Sequence, residues 1–296
     1  MSPREQLLQY VVSGLTTGAI YALIALGFVA IHNVTGVINF AQGESAMLGA
    51  LLMVSLHGAL RIPLAPAFLL AVVAVALAGV ALQRLVIRPA RNASTITLII
   101  ITIGASIAIR GMALVVWGTD PYSLPAFTPA PPIRLGGAVV RTQSLWVVGV
   151  MLASVLALYA FFQHTLLGKA LRACSVNRLA ARLMGINQDQ MAALSFALGG
   201  ALGGAAGAVI APITYATYDM GAMLGLKGFV AAIIGGLTSM PGAVAGGLLL
   251  GVLETAGAGL ISSGAKDAIA FAILLLVLLI RPSGLLGARQ DTRGGL

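Results

Sequence analysis

Few residues in this sequence are equipped to do chemistry. Its three lysines, Lys169, Lys227 and Lys266, are followed by alanine, glycine and aspartate, so no Gly-Lys-Ser/Thr stretch is present to cradle a nucleotide phosphate. His32, His57 and His164 are scattered and form no H-E-x-x-H pair, which leaves metal ligation and a zinc protease unsupported. No G-x-S-x-G nucleophile elbow occurs. Asp120, Asp189, Asp219 and Asp267 fall in loops or at the ends of apolar runs and cannot supply the paired aspartates of an intramembrane protease. No catalytic residue is therefore assigned. Three other groups stand out. Glu254 and Arg110 lie within apolar runs, where an ionisable side chain costs at least ~2.5–3.5 kcal/mol at mid-membrane and is kept beside a partner or water. Asn39, Gln42 and Glu44 form a short polar cluster just after the first run.

Composition explains why these groups sit among apolar runs. The residues AVILMFWYC make up 59% of 296 positions, 37 more are glycine, and only 8% are charged. Soluble domains carry ~25% charge, and a water-soluble particle built from this sequence would leave large apolar patches uncovered. The same figures exclude a disordered chain, and Cys174, the one cysteine, excludes a disulfide scaffold. The chain reads as a polytopic membrane protein. A ruler of about 20 helical residues per crossing gives spans near 8–31, 44–60, 62–82, 94–117, 144–163, 191–213, 224–239, 241–261 and 266–281. The seventh, short and glycine-rich, is either a crossing or one arm of a re-entrant hairpin with the eighth. The first run, Tyr10 to Ile31, is longer than a signal-peptide core of ~7–15 residues.

The formal charge of +9 follows the topology and does not point to nucleic acid. Ten of the 17 Lys and Arg fall in three clusters: Arg84, Arg88 and Arg91; Lys169, Arg172, Arg178 and Arg182; Arg281, Arg289 and Arg293. Even numbers of spans separate them, so all lie on one side, the cytoplasmic one. This places the N-terminus outside and the C-terminus inside. The external loop 118–143 holds five of the twelve prolines and reads as extended and stiff, either a docking surface or a connector. Seventeen glycines lie between Gly199 and Gly264. Their four-residue spacing at Gly199/Gly203/Gly207, Gly200/Gly204, Gly242/Gly246 and Gly247/Gly251, with Gly14/Gly18 near the start, predicts tight helix packing.

The cytoplasmic loop 164–190 holds Val176, Leu179, Leu183 and Ile186 at helical spacing, with Gly185 placed to stop the helix. Such a stripe suits a helix resting on headgroups or one docking a cytoplasmic partner. Asn39 and Gln42 have capping-box spacing, and Glu44 in the first turn suits the helix dipole. The alternative is that Asn39, Gln42 and Glu44 line a vestibule near an inner gate. Arg110 and Glu254 can serve as inter-subunit contacts or as pathway wall. For Arg110, about seven residues before its span ends, reaching to a headgroup is an equal option.

The loop G-K-A-L-R-A-C-S-x-N-x-x-A-A-x-L-M-G-I-N from Gly168 to Asn187 resembles the ATPase-coupling loop of permease subunits in branched-chain amino-acid ABC importers, of LivH type. Three further stretches resemble the family in the same order: Gly36 to Glu44; Lys227-Gly228-Phe229 through Gly235-Gly236-Leu237 to Met240-Pro241-Gly242-Ala243; and Arg281 to Gly287. Gln42 departs from the family pattern, which has histidine there, so a role needing protonation is not carried over. The resemblance implies an all-α, polytopic transmembrane bundle of eight to ten crossings with broken or re-entrant helices, a type II-like ABC importer permease fold, over a single domain, 1–296. It implies Gly168, Arg172, Ala173, Ala180, Gly185 and Asn187 as ATPase-coupling residues, while Asn39, Gln42 and Glu44 remain the candidate translocation-path residues from the reading above. It also implies alternating access in the bacterial inner membrane with no cofactor in this chain. The implied partners are a second homologous permease, two cytoplasmic ATPases that bind ATP, a periplasmic solute-binding protein and membrane lipids, with no nucleic acid. Related systems carry other amino acids, amides or urea. A self-sufficient secondary transporter or channel would use glycine-rich broken helices equally well, but the spans lack a set of carboxylates for ion coupling.

Overall fold

Side-chain oxygens at the helix starts set the phrasing of the chain. Ser94, Thr165, Asn177, Asn187 and Ser239 each precede a helix and accept a hydrogen bond from a backbone N–H of its first turn, occupying donors that have no intrahelical partner. The computed structural model describes residues 2–262, 264 and 266–287. Arg289 and Arg293 of the third basic cluster lie outside the described residues. The helices are α1 (Pro3–Thr35), α2 (Gln42–Met53), α3 (Leu64–Leu82), α4 (Thr95–Trp117), α5 (Thr142–His164), α6 (Leu166–Val176), α7 (Arg178–Leu183), α8 (Gln188–Ile210), α9 (Met220–Gly235), α10 (Met240–Leu260) and α11 (Lys266–Ile280). Helices α2 and α3 continue as π-helical stretches, Val54–Ala59 and Gln83–Ile87. The only strands among the described residues, β1 (Ile133–Leu135) and β2 (Ala138–Val140), pair as a hairpin within the proline-rich loop.

Six of these helices are long and apolar enough to cross a membrane, and α9 is a shorter apolar helix. Contacts at the helix ends fix their directions. The Gln9 side chain exchanges two hydrogen bonds with the backbone of Val139, placing the start of α1 against the β-hairpin. At the opposite end Asn33 donates to the Thr238 carbonyl (3.2 Å), and Leu285 and Leu286 donate to the carbonyls of Ile234 and Gly235. Arg88 and Arg91 pair there with Asp189 at 3.2 and 3.7 Å. The described members of the three basic clusters therefore share one face, as the spacing predicted. The seventh span lies slightly earlier than expected, at Met220–Gly235. It runs antiparallel to α10, from the segment 211–219 beside the proline-rich loop to the basic face. Ala216 in that segment pairs with Tyr122 of the proline-rich loop through two backbone hydrogen bonds. That loop thus packs onto the bundle and is not merely extended.

Helix α1 is the axis, with 89% of its most apolar stretch buried within the chain. Hydrocarbon solvates leucine as well as a helix neighbour does, so close van der Waals contact must hold helices together here. Each glycine stripe meets a different neighbour. Gly247 and Gly251 face Ala22 and Gly18 of α1, and Gly242 and Gly246 face Gly235 and Ala231 of α9. Gly200 and Gly204 face Val75 of α3, while Gly203 and Gly207 face Ser45 and Ala46 of α2. A Cβ at Gly207 would collide with the Ala46 carbonyl, a backbone atom that cannot turn aside. Gly149 on the outer face of α5 has nothing within 4 Å of where its Cβ would be.

We expect Gly207→Val to destabilise the chain by about 1–3 kcal/mol, the usual cost of overpacking, and Gly149→Val to change little. Melting of the detergent-solubilised chain, followed by size-exclusion chromatography, reads both. Equal melting temperatures would contradict the α2–α8 packing.

Candidate functional site

Between α1 and α2 the chain does not continue as helix. Residues 36–41 turn back into the bundle, and α2 begins at Gln42. Gln42 is fully buried, and its amide donates to the Gly199 carbonyl (2.8 Å), midway along α8. Irregular backbone at this depth must be satisfied by protein, and it is. Phe40 N–H donates to the Thr102 hydroxyl (3.2 Å), Ala41 N–H to Asn39 Oδ1 (3.2 Å), and Gln42 N–H to the Asn39 carbonyl (3.0 Å). The capping box expected of Asn39 and Gln42 is not formed. Asn39 closes a turn onto Ala41, which is the N-cap without a side-chain bond, and Gln42 is committed to α8.

Glu44 does fall in the first turn of α2, as expected, and it finds partners on α4. Its Oε1 accepts from the Ser106 hydroxyl (2.8 Å) and from Arg110 Nη2 (3.2 Å). Ser106 is the midpoint of α4, so this pair lies deep in the bundle. Arg110 turns inward to Glu44 and not outward to a headgroup, because a buried carboxylate lies within reach. The Glu44 side chain is 1% exposed and that of Arg110 30%, leaving the guanidinium open on one side. The second Glu44 oxygen lacks a hydrogen-bond partner and rests against Gly221, in the first turn of α9, where the helix dipole favours negative charge. Asn39, Gln42 and Glu44 are thus brought together where the first turns of two broken helices meet.

The second deep charge, Glu254, has a partner that spacing did not reveal. Lys227 Nζ lies 2.8 Å from both Glu254 Oε1 and Asp267 Oδ1, with Lys227 11% and Glu254 2% exposed. The network bridges α9, α10 and α11 beside Tyr21 of α1. The sequence signal for it is a lysine at the centre of an apolar helix, which requires a balancing charge.

At the basic end the predicted amphipathic stripe is two helices, since Asn177 leaves the helix and caps α7. Val176, Leu179, Leu183 and Met184 stand 87, 69, 80 and 83% exposed, an apolar row without an intramolecular partner among the described residues. Ile186 is half-buried and packs with Leu171, Cys174, Ala181 and Met191 against Val34 at the end of α1. Burial pushes the Cys174 thiol up, against the nearby Arg178 cation. Ala180 is exposed on α7, Gly185 takes φ +82° to end it, and Asn187 caps α8. Gly168 packs on the backbone of Phe161 and Phe162, and Ala173 is half-buried. Arg172 does not join the exposed row. It donates to Gln163 Oε1 (3.2 Å) at the end of α5.

A family model described as "Branched-chain amino acid transport system / permease component" matches residues 10–278. The chain is 34% identical over 294 residues to the high-affinity branched-chain amino acid transport system permease protein BraD of Pseudomonas aeruginosa, covering 95% of each. It is 33% identical over 296 residues to the corresponding protein LivH of Escherichia coli, again covering 95% of each. Among solved structures, PsaBC from Streptococcus pneumoniae in complex with Fab aligns over 95% of this chain and 92% of that one, with a TM-score of 0.44 and 17% identity.

Replacing Lys227 with methionine leaves Glu254 buried without its cation. We expect a loss of about 3–5 kcal/mol, visible as a lower melting temperature in detergent, with partial recovery in the Lys227→Met/Glu254→Gln double variant. An unchanged Lys227→Met melt would show that the network holds nothing.

Proposed function

Because the chain belongs to the branched-chain amino acid transport permease family and is a membrane-spanning permease subunit of an ABC importer, we propose that it moves branched-chain or related hydrophobic amino acids inward by alternating access. Its two relatives above are named for branched-chain amino-acid transport, which supports that substrate class. The working assembly comprises this permease, a second homologous permease, two cytoplasmic ATPases and a periplasmic solute-binding protein. ATP binds the partner ATPases, consistent with the lack of a P-loop lysine in this chain.

The observation that carries the coupling assignment is the apolar row Val176, Leu179, Leu183 and Met184, exposed on the basic face. A groove on the ATPase would cover it. Ala180, between Leu179 and Leu183, lets the groove wall approach closely. Gly168, Ala173, Gly185 and Asn187 hold the two short helices in place, and Arg172 ties α6 to the end of α5 through Gln163. Closure of the ATPase dimer on ATP would then move α6 and α7 as one lever, because their inner faces are packed onto α1 and α8. The solute would pass the level of Asn39, Gln42 and Glu44, where Arg110 and the meeting helix ends offer charge and dipole to an amino acid's ionic groups.

We expect Ala180→Trp to lower uptake by about tenfold or more, a coupling loss above ~1.4 kcal/mol, with membrane abundance unchanged and ATP hydrolysis no longer tied to transport. Unchanged uptake would sink the coupling surface. A tagged pull-down from native membranes in mild detergent should recover two P-loop ATPases and a second permease. Recovery of the chain alone, active in liposomes, would replace the importer assembly with a self-sufficient transporter.

A further inference from the structure

Helices α5 and α10 both pack on α1 but make little contact with each other. The gap between them is a groove of about 490 Å³ with α1 as its floor and α6 across its inner end. Leu26 and Ala30 form the floor, with Val155 and Phe162 of α5 on one wall and Val244 of α10 on the other. Its polar side chains are Asn33, Gln163, Arg172 and Ser175 at the cytoplasmic end and Tyr159 one turn before Gln163. From Leu26 to Asn33, or Val155 to Gln163, the groove spans seven or eight helical rises, about 10–12 Å at 1.5 Å each. One leaflet of a ~30 Å hydrocarbon core is about 15 Å deep, so the apolar part lies at the depth of acyl chains and the polar mouth at the depth of phosphates. The neighbouring Leu152 and Leu156 on α5 are exposed and apolar, as a lipid-facing surface requires.

Two features choose the occupant. An aliphatic and aromatic slot suits an apolar chain and offers little to a polar solute. Arg172 at the mouth is exposed and has no carboxylate partner among the described residues. One N–H goes to Gln163, and its other guanidinium donors remain free. Guanidinium matches phosphate in geometry and charge, and basic groups at the cytoplasmic surface attract anionic headgroups. We propose that this groove holds an acyl chain of an anionic phospholipid from the cytoplasmic leaflet, with Arg172 on its phosphate. The bound lipid fills the gap between α5 and α10 and fastens the root of the α6–α7 element to the bundle.

The test uses the full chain with its partner subunits, purified in mild detergent and washed. Native mass spectrometry reads retained lipid, and melting is followed with added phosphatidylglycerol, phosphatidylcholine or inorganic phosphate. The unaltered chain should retain phospholipid and melt higher with phosphatidylglycerol than with phosphatidylcholine. Val155→Trp and Val244→Trp fill the groove from opposite walls without touching a charge, and each should reduce retention about tenfold, whereas Leu156→Trp on the outer face should not. Arg172→Gln should abolish the preference for phosphatidylglycerol, and Arg172→Lys should restore part of it. Retention unchanged in both groove-filling variants would overturn the proposal. So would equal stabilisation by inorganic phosphate alone, which would mean a headgroup site without a chain. The readout needs neither substrate nor ATP, so it stands or falls apart from the transport reading.

Discussion

A backbone amide or carbonyl left without a partner in hydrocarbon costs several kcal/mol, and the layout of this chain follows from where its helices stop short of a full crossing. Between Thr35 and Gln42 the backbone runs irregularly inside the bundle, and donors and acceptors from Asn39 and Thr102 take the place of the missing helical bonds. Between Ile210 and Met220 the returning segment is met by Tyr122 of the external loop. Between Gly235 and Met240 the turn is covered by the segment around Leu285 and Leu286. Each break is thus tied to a distant part of the sequence. The breaks in turn place the starts of α2 and α9 deep in the bundle, where a first turn can face a carboxylate such as that of Glu44.

Close packing makes those placements rigid. Glycine removes the side-chain layer between α1 and α10, between α2 and α8, and between α9 and α10, so that backbone lies on backbone. At such a contact there is no rotamer to adjust, and a shift of one helix carries the next with it. The two charge networks sit on this frame. Glu44 and Arg110 join α2 to α4, and Lys227 joins α9 to α10 and α11. Helix α4 therefore has a buried anchor at Ser106, and α11 is held through the half-exposed Asp267, even though much of their surface is exposed.

Much of this was legible in the sequence because it depends on composition and counting. Nine apolar runs, the common side of the basic clusters and the glycine stripes need only hydropathy, parity and a four-residue period. Partner identity was not legible. That Gln42 bonds Gly199, or that Lys227 balances both Glu254 and Asp267, depends on three-dimensional adjacency between residues up to 157 positions apart, to which no local period points. The capping box failed for a related reason, since a local rule assigned Gln42 to Asn39 while a buried carbonyl on α8 offered a partner in a place with no water to compete. The stripe from Val176 to Ile186 did not stay on one face, because Asn177 breaks the helix and Ile186, beyond Gly185, turns inward while Val176, Leu179 and Leu183 stay exposed.

The exposed parts take their meaning from the buried frame. The inner faces of α6 and α7 pack through Leu171, Cys174 and Ala181 onto Val34 and Met191, at the C-terminal end of α1 and the first turn of α8. Those two helices are the most completely enclosed spans in the chain, 89% and 78% buried over their most apolar stretches. A force applied to the exposed face of α7 would therefore enter the most enclosed part of the bundle through one packed layer of side chains. A compliant layer there would absorb the displacement locally. On the proposed coupling, the glycine-packed core would instead carry it along α1 and α8, so that a cytoplasmic stroke would reach the level of Glu44 and Gln42 as motion of whole helices.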